Sequence, residues 1–67
     1  MYLNLKTEMI RKGIKQKDIA QLLGMSESAI SEKINGNGHF VTKNSIVIRD
    51  NFFKSLKLEY LFEYKER

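Results

Sequence analysis

Residues 15–36, KQKDIAQLLGMSESAISEKING, contain two short amphipathic segments that meet at a glycine. In the first segment, Ile19, Ala20 and Leu23 recur at the spacing of one helical face. The small Ala20 lets the second segment cross closely above it, and Gly24 permits a sharp turn that a side chain would obstruct. The stretch therefore predicts two short helices joined by a turn, the helix-turn-helix arrangement.

The second helix of this pair is expected to begin after Ser26, because a serine hydroxyl is a good N-cap. Its inward residues are Ala29, Ile30 and Ile34, and the Asn-Gly pair that follows is a strong stop signal. The capping box is incomplete, since alanine stands where glutamate would help. The helix-turn-helix is expected over about residues 16–35, and a helical hairpin with a purely structural role is the alternative.

An earlier helix is predicted upstream of this pair. Leu5, Met9 and Ile10 are expected to share its inward face. The helix should end near Lys12, because Gly13 suits the left-handed conformation that closes a helix.

Two more helices are predicted downstream. Thr42 is expected to cap a fourth helix that runs to about Phe53. The β-branched residues within residues 40–48 leave a hairpin as the alternative for that stretch. A fifth helix is marked by three apolar residues, Leu58, Leu61 and Phe62.

A chain of 67 residues is expected to form one compact all-α domain of four to five helices, residues 1–67. It has no cysteine, which excludes disulfides and cysteine-based zinc sites and is typical of an intracellular protein. The N-terminal sequence MYLNLKTEMIRK intersperses charges among apolar residues and lacks the apolar stretch of a signal peptide or membrane span. We therefore expect a cytoplasmic protein that does not enter a membrane.

The charge balance favours a polyanionic partner. Twelve Lys and Arg residues against eight Asp and Glu residues give a formal net charge of +4. Cationic side chains gain affinity for nucleic acid by releasing its condensed counterions. The alternative is that the charge only keeps a small protein soluble.

The 15–36 stretch resembles the Cro and repressor family of helix-turn-helix proteins, also called XRE-like, which are phage-type transcriptional regulators. The resemblance covers about residues 5–62 and implies a lambda-repressor-like fold with an operator in double-stranded DNA as partner. Lys15 departs from the family, whose members often carry Thr or Ser there. The matching residues are Gln16, Ile19-Ala20, Leu23-Gly24, Ser26, Ile30 and Asn35-Gly36.

In such a module the third helix enters the major groove with its N-terminal residues toward the base edges. Glutamate accepts a hydrogen bond from cytosine N4, and serine donates or accepts. For each glutamate, an ordinary solvated helix residue is the alternative. The polar residues expected to face the bases are Glu27, Ser28, Ser31 and Glu32.

The resemblance also implies contacts with the DNA backbone around both helices. Free amides at the start of the second helix suit a phosphate oxygen, and so do the amides of the Gly36-Asn37-Gly38 loop. For each lysine, a solvated surface charge is the alternative. The expected backbone contacts are Gln16, Lys17, Ser26, Lys33, Asn35, Asn37, His39 and Lys43.

Other functional classes fit less well. The single histidine, His39, has no cysteine and no obvious carboxylate partner, so no catalytic residues, metal site or cofactor are expected. The main rival is a protein-binding antirepressor or antitoxin that uses Glu27 and Glu32 as an acidic face. Another possibility is that the chain is the DNA-binding half of a longer repressor.

A homodimer on a pseudo-palindromic operator is expected, with its two recognition helices one DNA turn, ~34 Å, apart. One small helix contacts only a half-site, which gives weak recognition by itself. Val47, Tyr60 and Tyr64 are the candidates for the dimer surface.

Overall fold

The computed structural model describes residues 1–66, which form five α-helices and no β-strand within dimensions of 27 × 26 × 22 Å. The all-α prediction is confirmed, and residues 42–48 lie in a helix instead of a hairpin. None of the helices in this part of the chain has the length and apolar character needed to cross a membrane. The helices are α1 (Leu3–Lys12), α2 (Gln16–Leu23), α3 (Glu27–Asn35), α4 (Thr42–Phe52) and α5 (Leu58–Leu61).

All five helices contribute to one apolar core. Helix α3 packs against α1 and α2, while α5 packs against α1 and α4. Helix α3 supplies two of the most deeply buried side chains, Ile30 and Ile34, which anchor it in the core. The side chains with almost no exposure are Leu5, Ile19, Ile30, Ile34, Ile48, Phe53 and Leu61.

The predicted glycine turns are confirmed. Gly13 and Gly24 end α1 and α2 in the left-handed region, with φ values of 70° and 68°. A side chain is strained in that region, so glycine is favoured at both positions. After the second turn, the N–H of Met25 donates a 2.9 Å hydrogen bond to the carbonyl of Ala20, which fixes the direction in which α3 begins.

Two details of the predicted helices are wrong. Ile10 is 74% exposed, because it follows Met9 by a rotation of about 100° that turns it off the face shared by Leu5 and Met9. Thr42 is the first residue of α4, so its side chain does not cap the helix; extended Val41 occupies the N-cap position. Helix α4 ends at Phe52, in agreement with the predicted limit of about Phe53.

The N-terminal segment closes the end of α3. The N–H of Tyr2 donates a 3.0 Å hydrogen bond to the carbonyl of Ile34, one of the helix-end carbonyls that lack an intrahelical donor. The Tyr2 hydroxyl accepts a 3.0 Å hydrogen bond from the N–H of Phe40. Met1 and Lys65 exchange backbone hydrogen bonds of 2.7 and 2.9 Å. The chain ends therefore meet beside the loop that follows α3.

Candidate functional site

The outer face of α3 is the candidate site. Ile30 and Ile34 anchor the inner face of the helix in the core. Glu27, Ser28 and Glu32 project from the helix and are exposed. The helix therefore presents an exposed polar face while its apolar face is anchored in the core.

Ser26 caps α3 as predicted. Its Oγ accepts a 3.1 Å hydrogen bond from the N–H of Ala29, and its backbone is extended, with φ −75° and ψ 154°. The hydroxyl hydrogen remains available to donate to a further acceptor. Glu27 lies in the first turn of α3, where a negative charge interacts favourably with the helix dipole.

Glu32 shapes the loop that follows α3. Its Oε2 atom accepts a 3.2 Å hydrogen bond from the N–H of Asn37, and its carbonyl accepts 3.0 and 3.4 Å bonds from Gly36 and Gly38. A Cβ atom placed on Gly36 would collide with the Glu32 carboxylate and carbonyl. Glycine is therefore required there for space. Both Glu27 and Glu32 were predicted to face the bases. They occupy different environments, because Glu32 is hydrogen-bonded to the loop.

Lys33 bends back over the same loop. Its Nζ donates a 3.0 Å hydrogen bond to the carbonyl of His39 and lies 5.9 Å from the centre of the Phe40 ring. The side chain is half-buried, so its charge is directed at the protein's own backbone. The Nδ2 atom of Asn35 donates a 3.5 Å hydrogen bond to the Oγ of Ser31, and the Oδ1 atom of Asn35 is buried.

The start of α2 presents unpaired backbone donors. The N–H groups of Gln16 and Lys17 lie in the first turn, where no intrahelical carbonyl is available. Lys17 is exposed and Gln16 is half-buried. Asp18 accepts a 2.8 Å hydrogen bond from the N–H of Lys15, so its carboxylate stabilises the N-terminal end of α2. This role was not predicted from the sequence, although an acidic residue three positions after the N-cap is its known signal.

The loop between α3 and α4 completes the surface. Asn37 and His39 are exposed in the loop, and Lys43 is exposed in the first turn of α4. The His39 ring packs against the Tyr64 ring, with 4.0 Å between the ring centres, and the Tyr64 hydroxyl donates a 3.4 Å hydrogen bond to the carbonyl of Gly36. The C-terminal segment therefore supports this loop, a contact that the sequence analysis missed.

Charge is divided unevenly over these elements. Helix α3 itself carries Glu27, Glu32 and Lys33. The ion pairs found among residues 1–66 are Arg49 with Asp50 at 2.8 Å and Lys65 with Glu63 at 3.6 Å. Neither Lys17 nor Lys43 belongs to those pairs. Of the predicted DNA contacts, the exposed lysines Lys17 and Lys43 thus lie on α2 and α4, outside an acidic α3.

Comparison of the chain with protein-family models, with curated proteins and with solved structures gives no significant match. Residues 1–66 contain no group of three His, Asp or Glu side chains arranged to hold a metal ion.

Proposed function

We propose that this protein is a sequence-specific regulator that binds double-stranded DNA through a helix-turn-helix formed by α2 and α3. The observation that carries the proposal is the exposure of Glu27 and Ser28 at the N-terminal end of α3, on a helix anchored by Ile30 and Ile34. In helix-turn-helix proteins, that end of the second helix contacts the bases. An uncovered helix about 10–12 Å across also matches the ~12 Å width of the major groove.

Base contacts are assigned principally to the first turn of α3. The carboxylate of Glu27 accepts from cytosine N4, and the hydroxyl of Ser28 donates or accepts. Ser31 lies one turn further along and is half-buried. Glu32 contributes less, because its carboxylate already accepts the N–H of Asn37.

Backbone contacts are assigned to the start of α2, the α3–α4 loop and the start of α4. The exposed ammonium of Lys17 and the first-turn amides of α2 suit one phosphate, and Lys43 suits another. The hydroxyl of Ser26 retains a hydrogen to donate, and Asn37 and His39 are exposed in the loop. Lys33 contributes less than predicted from the sequence, since its ammonium is held by the carbonyl of His39.

The protein-binding rival requires an acidic recognition face. That face needs both Glu27 and Glu32, and Glu32 is engaged by the loop. With Glu27, Glu32 and Lys33, the net charge of α3 is only −1, which is a weak basis for recognising a basic protein partner. The arrangement therefore favours DNA as the partner. Alanine variants of Glu27 and Ser28 distinguish the two functions.

The proposed regulator acts in the cytoplasm as a Cro-like repressor and binds its operator as a homodimer. Of the three predicted dimer residues, Tyr64 packs against His39 of its own chain and Val47 is half-buried. Tyr60 is 41% exposed and is the best placed of the three.

Selection from a pool of random duplexes, followed by anisotropy titrations, tests the proposal. Selection should enrich a pseudo-palindrome whose half-sites lie about one DNA turn apart. The logarithm of the binding constant should fall linearly with the logarithm of salt concentration. Recovery of unrelated sequences, or a binding constant insensitive to salt, would contradict it.

A further inference from the structure

A surface groove of about 280 Å³ lies between α1, the α1–α2 turn and the end of α3. We call it the α1 groove. Its apolar lining consists of Met9, Ile10, Ile14 and Ile34, and its cationic lining consists of Lys6 and Lys15. The half-buried Gln16 is the one residue shared with the proposed DNA-binding surface.

The α1 groove joins buried apolar side chains to exposed ones. Met9 and Ile34 are 5% and 1% exposed and belong to the core, whereas Ile10 is 74% exposed beside them. Ile14 is half-buried at the turn. A single exposed apolar residue on a protein surface is ordinary, and here Ile10 continues the apolar lining of a groove.

The charges of the α1 groove select the partner. Lys6 and Lys15 are both exposed, and the lining contains no carboxylate. A second copy of this chain, docked symmetrically through the same surface, would bring like charges together. A segment that carries carboxylates beside its apolar side chains would bury the apolar surface and neutralise both lysines.

We propose that the α1 groove binds an acidic amphipathic peptide segment of a partner protein. Its apolar side chains pack against Ile10, Ile14 and the groove floor, and its carboxylates pair with Lys6 and Lys15. An apolar cavity of ~150 Å³ accepts a benzene molecule, so the volume here accommodates about two aliphatic side chains. The proposal goes beyond DNA binding and does not depend on it.

The test uses two synthetic helical peptides that share a leucine face, one with glutamate and the other with lysine at the remaining positions. Titration of the intact chain, without DNA, should give binding of the glutamate peptide only. Amide chemical shifts should change at Met9, Ile10 and Ile14. Equal binding of the lysine peptide, or no binding of either, would overturn the proposal.

Matched variants locate the binding surface. Ile10→Gln and Lys6→Glu alter exposed side chains and should each weaken binding of the glutamate peptide by about tenfold or more, with unchanged circular dichroism. The controls Val41→Gln and Lys54→Glu make the same changes at exposed positions outside the α1 groove and should leave binding unaltered. Equal losses in variants and controls would overturn the assignment. So would self-association of the chain that Ile10→Gln abolishes, because it would give the surface to a second copy.

Discussion

The hydroxyl of Tyr60 donates a 2.7 Å hydrogen bond to the Oε2 atom of Glu8 and so joins α5 to α1. Glu8 is only 8% exposed, and a buried carboxylate is costly unless it is hydrogen-bonded. The carbonyl of Tyr60 also accepts a 2.9 Å hydrogen bond from Nδ2 of Asn4. These two hydrogen bonds therefore fix α5, which has four residues, against α1.

The Tyr60–Glu8 contact predicts a pH effect. The pKa of Tyr60 is raised above its ordinary value, first by its hydrogen bond to Glu8 and then by desolvation and the carboxylate's charge. The stability from this shift is fully present below the ordinary tyrosine pKa of ~10 and is lost as pH rises through the raised value. Absorbance titration of tyrosinate should show a late step from Tyr60, and Glu8→Gln should bring its midpoint down. The control Tyr60→Phe should remove the late step. An unchanged midpoint in Glu8→Gln would refute this cause.

A charge at Ala20 should disrupt the packing of α2 and α3. Ala20 is 4% exposed in the core, so Ala20→Asp buries a carboxylate without a partner. We expect a loss of about 3 kcal/mol or more in the free energy of unfolding, enough to unfold much of a domain this small. The control Gln21→Asp places the same charge at the next, exposed position, in the last turn of α2, and should cost no more than about 1 kcal/mol. Thermal melts followed by circular dichroism make the comparison, and similar melting of both variants would show that the crossing does not depend on Ala20.

Lys17 should contribute affinity without specificity. If its ammonium contacts a phosphate, Lys17→Ala should weaken binding to selected and random duplexes alike and flatten the salt slope by about one unit. Lys54→Ala removes the same charge from an exposed position in the segment after α4 and is the matched control. Anisotropy titrations at several salt concentrations measure both effects. Equal losses in the two variants would mean that only net charge matters.

Glu27 and Ser28 should contribute specificity. Truncation of either to alanine should cost on the order of 1–3 kcal/mol on the selected duplex and little on random duplexes. The same titrations, run on both duplexes, give the difference directly. Unchanged discrimination in both variants, or a Glu27→Ala variant that binds all DNA more tightly, would assign the acidic end of α3 to a protein partner.

Helix positions were predictable because their signals are local. The apolar spacing of α2, its closing glycine at Gly24 and the cap at Ser26 each act within a few residues, and the structure follows them. The stretch after Phe40 was ambiguous for the same reason, since β-branched residues such as Ile46 and Val47 favour strands locally. In the structure this stretch is helical, and Ile48 is buried in the core.

By itself, the sequence determined the positions and approximate limits of the first three helices, through periodicity, glycines and caps. Only the tertiary structure decided how each helix is rotated and which polar side chains stay free. Ile10 is exposed and Glu8 is buried because the face of α1 that packs against its neighbours differs from the face predicted from apolar spacing alone. Glu32 and Lys33 are engaged because the loop folds back beside them, bringing Asn37 within hydrogen-bonding distance. Such contacts depend on the relative placement of separate segments, and no periodicity within one segment encodes that placement.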